Sequence, residues 1–210
     1  MKIVKICGIN SAAAMDAAVA ARADMIGLVF YPPSPRFVTP VEALMLSQRT
    51  AAKMPLRVGL FVNPGFDEVE DVLRVISLDV VQVHGNPALV AALRDRFGRP
   101  VWRQAGVASA AEFPAPDEVA DGFILEAKPP QGATRPGGNA VMADWGLLAQ
   151  FRSPKPWLLA GGLRPDNVAE GLRVTGADGA DVSSGVESAP GVKSPALIEA
   201  FVRAARSSGL

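Results

Sequence analysis

Cys7, the only cysteine of this 210-residue chain, closes the run Ile3-Val4-Lys5-Ile6 and is followed at once by Gly8, a turn residue. Buried free cysteines are commonly inert packing. Here a lysine stands two residues back on the same strand face, and a nearby cation favours thiolate, the form that takes a proton or attacks carbon. Glu126 is the counterpart, a carboxylate at the end of the apolar run Phe123-Ile124-Leu125. Partial desolvation raises a carboxyl pKa and equips the group as a general acid near neutrality. Facing one another across a cavity, Cys7 and Glu126 make an acid–base pair.

A second set of residues suits anions. Gly161-Gly162-Leu163-Arg164-Pro165 and Ser183-Ser184-Gly185-Val186-Glu187 are glycine-bearing turns after apolar runs. Backbone N–H groups at such turns bind phosphate, which points to Gly161, Gly162, Ser183, Ser184 and Gly185. In the proline-stiffened Ser34-Pro35-Arg36, the arginine fork suits a carboxylate. His84, the sole histidine, either orients a group at the same rim or is a satisfied structural residue. A lone cysteine makes neither an internal disulfide nor a cysteine-rich metal site, so no metal is expected.

These residues need a frame that brings strand ends together. Apolar, β-branched runs recur at 2–7, 25–30, 57–62, 80–84, 100–104, 122–126, 157–160 and 180–183, mostly 20 to 30 residues apart, with helical segments between. Eight such units in this length predict an α/β fold, a compact (β/α)8 TIM barrel forming one domain over 1–210. The fifth connection is proline-broken, so its helix is expected to be poor or absent. A doubly wound sheet would need a phosphate loop or dinucleotide fingerprint after the first strand, and Cys7-Gly8-Ile9-Asn10 is neither. Strand alternation then sorts the side chains. With Cys7 inward, Lys5 and Ile3 follow, while Val4 and Ile6 face the helices. Gln82 shares a face with His84, Ile124 with Glu126, and Asp181 with Ser183. Lys5 and Asp181 lie on the first and last strands, which a barrel makes neighbours, so the two are expected within hydrogen-bonding range.

Composition excludes several classes. Lys+Arg and Asp+Glu balance at 21 each, with no basic stripe, which argues against a nucleic-acid partner. No apolar run approaches a membrane span, and Met1-Lys2-Ile3-Val4-Lys5 is too charged for a signal peptide. The expectation is a cytoplasmic monomer acting on a small molecule.

Beyond these readings, the chain resembles the phosphoribosylanthranilate isomerases of tryptophan biosynthesis. The resemblance rests on Lys5-Ile6-Cys7-Gly8-Ile9, Phe30-Tyr31-Pro32-Pro33-Ser34-Pro35-Arg36, Gly59-Leu60-Phe61-Val62-Asn63, Val81-Gln82-Val83-His84-Gly85 and Leu159-Ala160-Gly161-Gly162-Leu163. Asp181-Val182-Ser183-Ser184-Gly185-Val186-Glu187 and Pro190-Gly191-Val192-Lys193 complete it, so that it runs nearly end to end. It implies a (β/α)8 barrel and a cofactor-free Amadori rearrangement of a sugar phosphate, with Cys7 as base, Arg36 on the anthranilate carboxylate, and the backbone at Gly162 and Ser184-Gly185 on the phosphate. The family usually has aspartate where this chain has Glu126, glycine where it has Ala140, and phenylalanine where it has Ala143. Those departures leave an alternative: a paralogous barrel that binds a sugar phosphate but catalyses weakly.

Overall fold

In the computed structural model, which describes residues 1–48, 54–128 and 142–208, the expected runs are strands. They are β1 (Ile3–Cys7), β2 (Met25–Val29), β3 (Leu56–Val62), β4 (Val80–His84), β5 (Val101–Val107), β6 (Gly122–Ala127), β7 (Trp157–Leu159) and β8 (Gly179–Val182). Each pairs in parallel with the next, and β8 returns to β1, so among the described residues these strands close a (β/α)8 barrel. Most helices begin where the local chemistry supplies a cap. Ser11 caps α1 (Ala12–Ala20), and Thr39 with Glu42 forms a capping box on α2 (Pro40–Ser47). Asn86 caps α4 (Pro87–Phe97) beyond α3 (Phe66–Val75), and Asp144 caps the single turn α5 (Trp145–Leu148). After β7 comes α6 (Val168–Thr175). A two-stranded ribbon, β9 (Glu187–Ala189) with β10 (Val192–Lys193), then precedes α7 (Pro195–Ser207), which Ser194 caps.

One strand differs from expectation. β5 runs past Gln104 to Val107, because its pairing with β6 continues through Gly106↔Glu126 and Val107↔Ala127. The fifth connection keeps only a 3-10 turn, Ala110–Glu112, in line with its prolines. α2 is followed by its C-cap Gln48, and residues 49–53 lie outside the described residues, as does the segment 129–141 with Ala140. At the start of α3, Phe66 is 44% exposed and meets Phe97 edge-on, while Val69 and Val72 carry the buried face.

Alternation divides the strand residues as expected. Val4, Ile6, Val81, Val83, Phe123 and Leu125 pack outward among Met15, Val69, Val90, Phe201 and other helix residues. The inward set begins with an apolar cluster of Met25, Val58, Val80, Trp102, Ile124, Leu158 and Ala160 at the start of the barrel. Nearer the strands' C-terminal ends it turns polar, with Lys5, Gln82, Gln104, Glu126 and Asp181, all under 9% exposed. No helix among the described residues is long and apolar enough to cross a membrane.

Candidate active site

Lys5 is fully buried, and its Nζ donates to Asp181 Oδ1 at 2.8 Å across the β1–β8 seam, as the alternation predicts. Burial pulls the lysine pKa down, but the negative charge of Asp181, with a smaller contribution from Cys7, more than offsets it, and the net shift is upward. Removing one partner of such a pair strands a charge in the dry interior. Asp181→Ala is therefore expected to lower the unfolding free energy by about 3–5 kcal/mol, read from denaturant midpoints; an unchanged midpoint would show that the pair is not what holds this seam.

Cys7, 5% exposed, stands one inward position further along β1. Its register partner on β2 is Gly27, and a Cβ there would come within 2.8 Å of Cys7 Sγ. The missing side chain is what gives the thiol its room. Burial pushes the Cys7 pKa up; Lys5 opposes this, Asp181 reinforces it and Lys193 opposes it, with a net upward result. Lys5 stands beside the thiol, as alternation places it, but Asp181 offsets its charge and burial favours the neutral thiol.

Arg36 lies beyond β2 and is also buried. Its Nε and Nη2 donate to the two carboxylate oxygens of Glu187 at 2.7 and 2.9 Å. Glu187 accepts in addition from Lys193 Nζ at 2.7 Å, and Lys193 reaches back to the backbone oxygen of Ser183 at 3.0 Å. Burial acts against ionisation of Glu187, yet the Arg36 hydrogen bonds and the Lys193 charge bring its pKa down to about 2. Two cations share one carboxylate, so the cluster carries a net positive charge. One edge of the arginine fork, Nε and Nη2, is committed to Glu187.

The two glycine-bearing turns touch each other. Gly161 and Gly162 have φ of +84° and +67°, the left-handed region that glycine enters without penalty. A Cβ on Gly185 would overlap the carbonyl oxygen of Leu163. Asn167 Nδ2 donates to the Gly162 carbonyl at 3.1 Å and tethers that turn to the start of α6, while Ser183 Oγ donates to the Cys7 carbonyl at 3.1 Å and ties the other to β1.

On the opposite side, Glu126 ends the inward face of β6 and is 6% exposed. Its Oε1 accepts from Gln104 Nε2 on β5, and Gln104 Oε1 accepts from Gln82 Nε2 on β4. His84, one inward position beyond Gln82, is held down to a pKa of about 4 by burial and by the charge of Lys5, so it is a neutral imidazole at neutral pH.

The structure thus gathers Lys5, Cys7, Asp181, Arg36 and the Ser183 turn on one side of the barrel mouth, and Glu126 with His84 on strands β4–β6. Gln104, Glu187 and Lys193 are buried members that sequence reasoning did not single out. Alternation counted along the fifth strand marks Gln104 as inward. Glu187 and Lys193 belong to quoted motifs, but their pairing with Arg36 is a product of folding.

A family model described as N-(5'phosphoribosyl)anthranilate (PRA) isomerase matches residues 4–204. A curated N-(5'-phosphoribosyl)anthranilate isomerase of Acidiphilium cryptum is 52% identical over 208 residues, 99% of this chain and 100% of the relative. The crystal structure of a phosphoribosyl anthranilate isomerase in complex with reduced 1-(o-carboxyphenylamino)-1-deoxyribulose 5-phosphate superposes with a TM-score of 0.78 at 29% identity, covering 99% of this chain and 100% of that one. Monomers generated from the dimeric enzyme of Thermotoga maritima superpose equally, with a TM-score of 0.78 at 31% identity over 99% and 100% of the two chains.

Proposed function

The chain belongs to the N-(5'-phosphoribosyl)anthranilate isomerase family, and from that premise we propose that Glu126 is its general acid and Cys7 its general base. The activity is an isomerisation in tryptophan biosynthesis, the Amadori rearrangement of N-(5'-phosphoribosyl)anthranilate to 1-(2-carboxyphenylamino)-1-deoxyribulose 5-phosphate. Glu126 delivers its proton to the ribose ring oxygen as the C1'–O bond breaks, leaving a Schiff base. Once the ring is open Cys7 gives up its thiol proton to water, and as thiolate it removes the proton from C2', regenerating the thiol; the resulting enolamine gains a proton at C1' and loses the one on its 2'-hydroxyl, giving the C2' ketone. The protonated Schiff base is itself a cation in a low-dielectric cavity. It adds to the field of Lys5 and Lys193, so the thiolate is favoured once the ring is open rather than in the resting site.

The observation that supports this reading is that a thiol, Cys7, and a carboxyl, Glu126, are both buried at the C-terminal ends of β1 and β6, the face where barrel chemistry sits. The Nη1 side of Arg36 is proposed to hold the anthranilate carboxylate. The backbone of Gly161-Gly162 and Ser183-Ser184-Gly185 is proposed to hold the phosphate, with the net positive Arg36–Glu187–Lys193 cluster alongside. Lys5 and Asp181 tune Cys7, and neutral His84 supports the rim. The working unit is proposed to be a cytoplasmic monomer, one domain over 1–210, built on the single closed barrel.

The roles are tested by pairing turnover with binding. In Cys7→Ala/Glu126→Gln the reduced open-chain product analogue is expected to bind within about threefold of wild type while turnover is lost. If both are lost together, these side chains hold the ligand rather than move its protons.

A further inference from the structure

We infer that Gln104 is a positioning residue for Glu126: the Gln82–Gln104 amide pair fixes where the glutamate carboxyl stands. The inference rests on the reading of Glu126 as the general acid. Gln82, Gln104 and Glu126 occupy inward positions on the adjacent strands β4, β5 and β6, and all are buried. Their hydrogen bonds run in one direction, from Gln82 Nε2 to Gln104 Oε1 and from Gln104 Nε2 to Glu126 Oε1. A carboxamide has one donor end and one acceptor end. Because the glutamate oxygen accepts, Gln104 must turn its NH2 toward β6 and its oxygen toward β4. Gln82 must then turn its own NH2 toward Gln104. Each orientation is forced by the one after it.

The far end of the row shows that the arrangement is not simply stabilising. Gln82 Oε1 is buried and has no hydrogen-bond partner among the described residues. An orphaned buried acceptor costs free energy, whereas two apolar side chains of similar shape would cost none. What the row achieves is at its other end. A glutamate has three side-chain torsions, and proton transfer requires its carboxyl to be held within about half an ångström of the productive position. An amide anchored on the neighbouring strand supplies that restraint.

The test compares Gln104→Leu, Gln82→Leu/Gln104→Leu and Glu126→Gln with wild type. Gln104→Leu is expected to lower kcat between about tenfold and a hundredfold, with KM within about threefold. The Glu126 carboxyl, followed by infrared difference against Glu126→Gln, should titrate at higher pH, because the lost donor had favoured the anion. The double leucine variant removes both amides at once, strands no donor and should show the same kinetic defect in a well-folded protein. Added to Glu126→Gln, Gln104→Leu should cause no further loss. An unchanged kcat and unchanged carboxyl titration in the folded leucine variants, with Glu126→Gln inactive, would overturn the positioning role and leave the acid in place. A further loss on top of Glu126→Gln would also overturn it, since Gln104 would then act independently. Wild-type turnover by Glu126→Gln would remove the acid reading and the inference with it.

Discussion

Replacing Cys7 by alanine lowers kcat for N-(5'-phosphoribosyl)anthranilate by about a thousandfold or more, within the range that general-base catalysis supplies. The substitution removes one sulfur from a small buried cluster with Val29 and Leu60. Gly27 stands opposite, and the Lys5–Asp181 ion pair behind it is complete without the thiol. Loss of stability should stay near 1 kcal/mol, small enough for assay at full occupancy of the folded state. A pH signature follows from the direction of the Cys7 shift. The thiol of the free enzyme is held above its ordinary range by burial, and the base acts deprotonated, so when proton abstraction limits the rate, kcat/KM of the wild type rises with pH through neutrality. Steady-state kinetics from mildly acid to alkaline pH, read beside analogue binding, check both points. An alanine variant that turns over within tenfold of wild type removes Cys7 from the proton-transfer step.

Glu126→Gln is expected to lower kcat by about 10²- to 10³-fold. Glutamine matches the side chain in length and can still accept from Gln104 Nε2, so position and packing survive. What is lost is the proton that the ring oxygen must receive as the ring opens. The open-chain product analogue has no ring to open and should bind the variant nearly as well as it binds wild type. That contrast separates failed chemistry from a collapsed site. Loss of the substrate's fluorescence gives the rate, and displacement by the analogue gives the affinity. If analogue affinity falls as far as turnover does, Glu126 is a binding group and not the acid.

Much of this site was open to sequence reasoning because a barrel converts strand position into address. Once eight runs are placed, alternation from Cys7 fixes the inward direction of Lys5, Gln82, Glu126 and Asp181, and closure makes Lys5 and Asp181 neighbours. What escaped depended on sums of opposing terms or on contacts distant in sequence. The Cys7 charge state could not be read from the nearby lysine, since desolvation and Asp181 outweigh it. Arg36 reads as an open fork in its own loop, and its Glu187 partner lies 151 residues away. Gln104 ended the expected fifth strand, where alternation turns it inward, but its place between Gln82 and the proposed acid depends on side-chain contacts between strands. The space around Cys7 is set by Gly27, whose contribution is a missing atom.

The central claim is that this barrel is built around a glutamate as its acid, and the most direct test is steady-state turnover of freshly generated N-(5'-phosphoribosyl)anthranilate by wild type beside Glu126→Asp. Shortening the side chain by one methylene withdraws the carboxyl by about 1 Å from the Gln104 amide, a displacement that costs around a hundredfold. The account predicts a wild type that turns over well and an aspartate variant that falls clearly below it. A feeble wild type that Glu126→Asp restores would contradict the account, showing a site shaped for the shorter acid and detuned by the longer one.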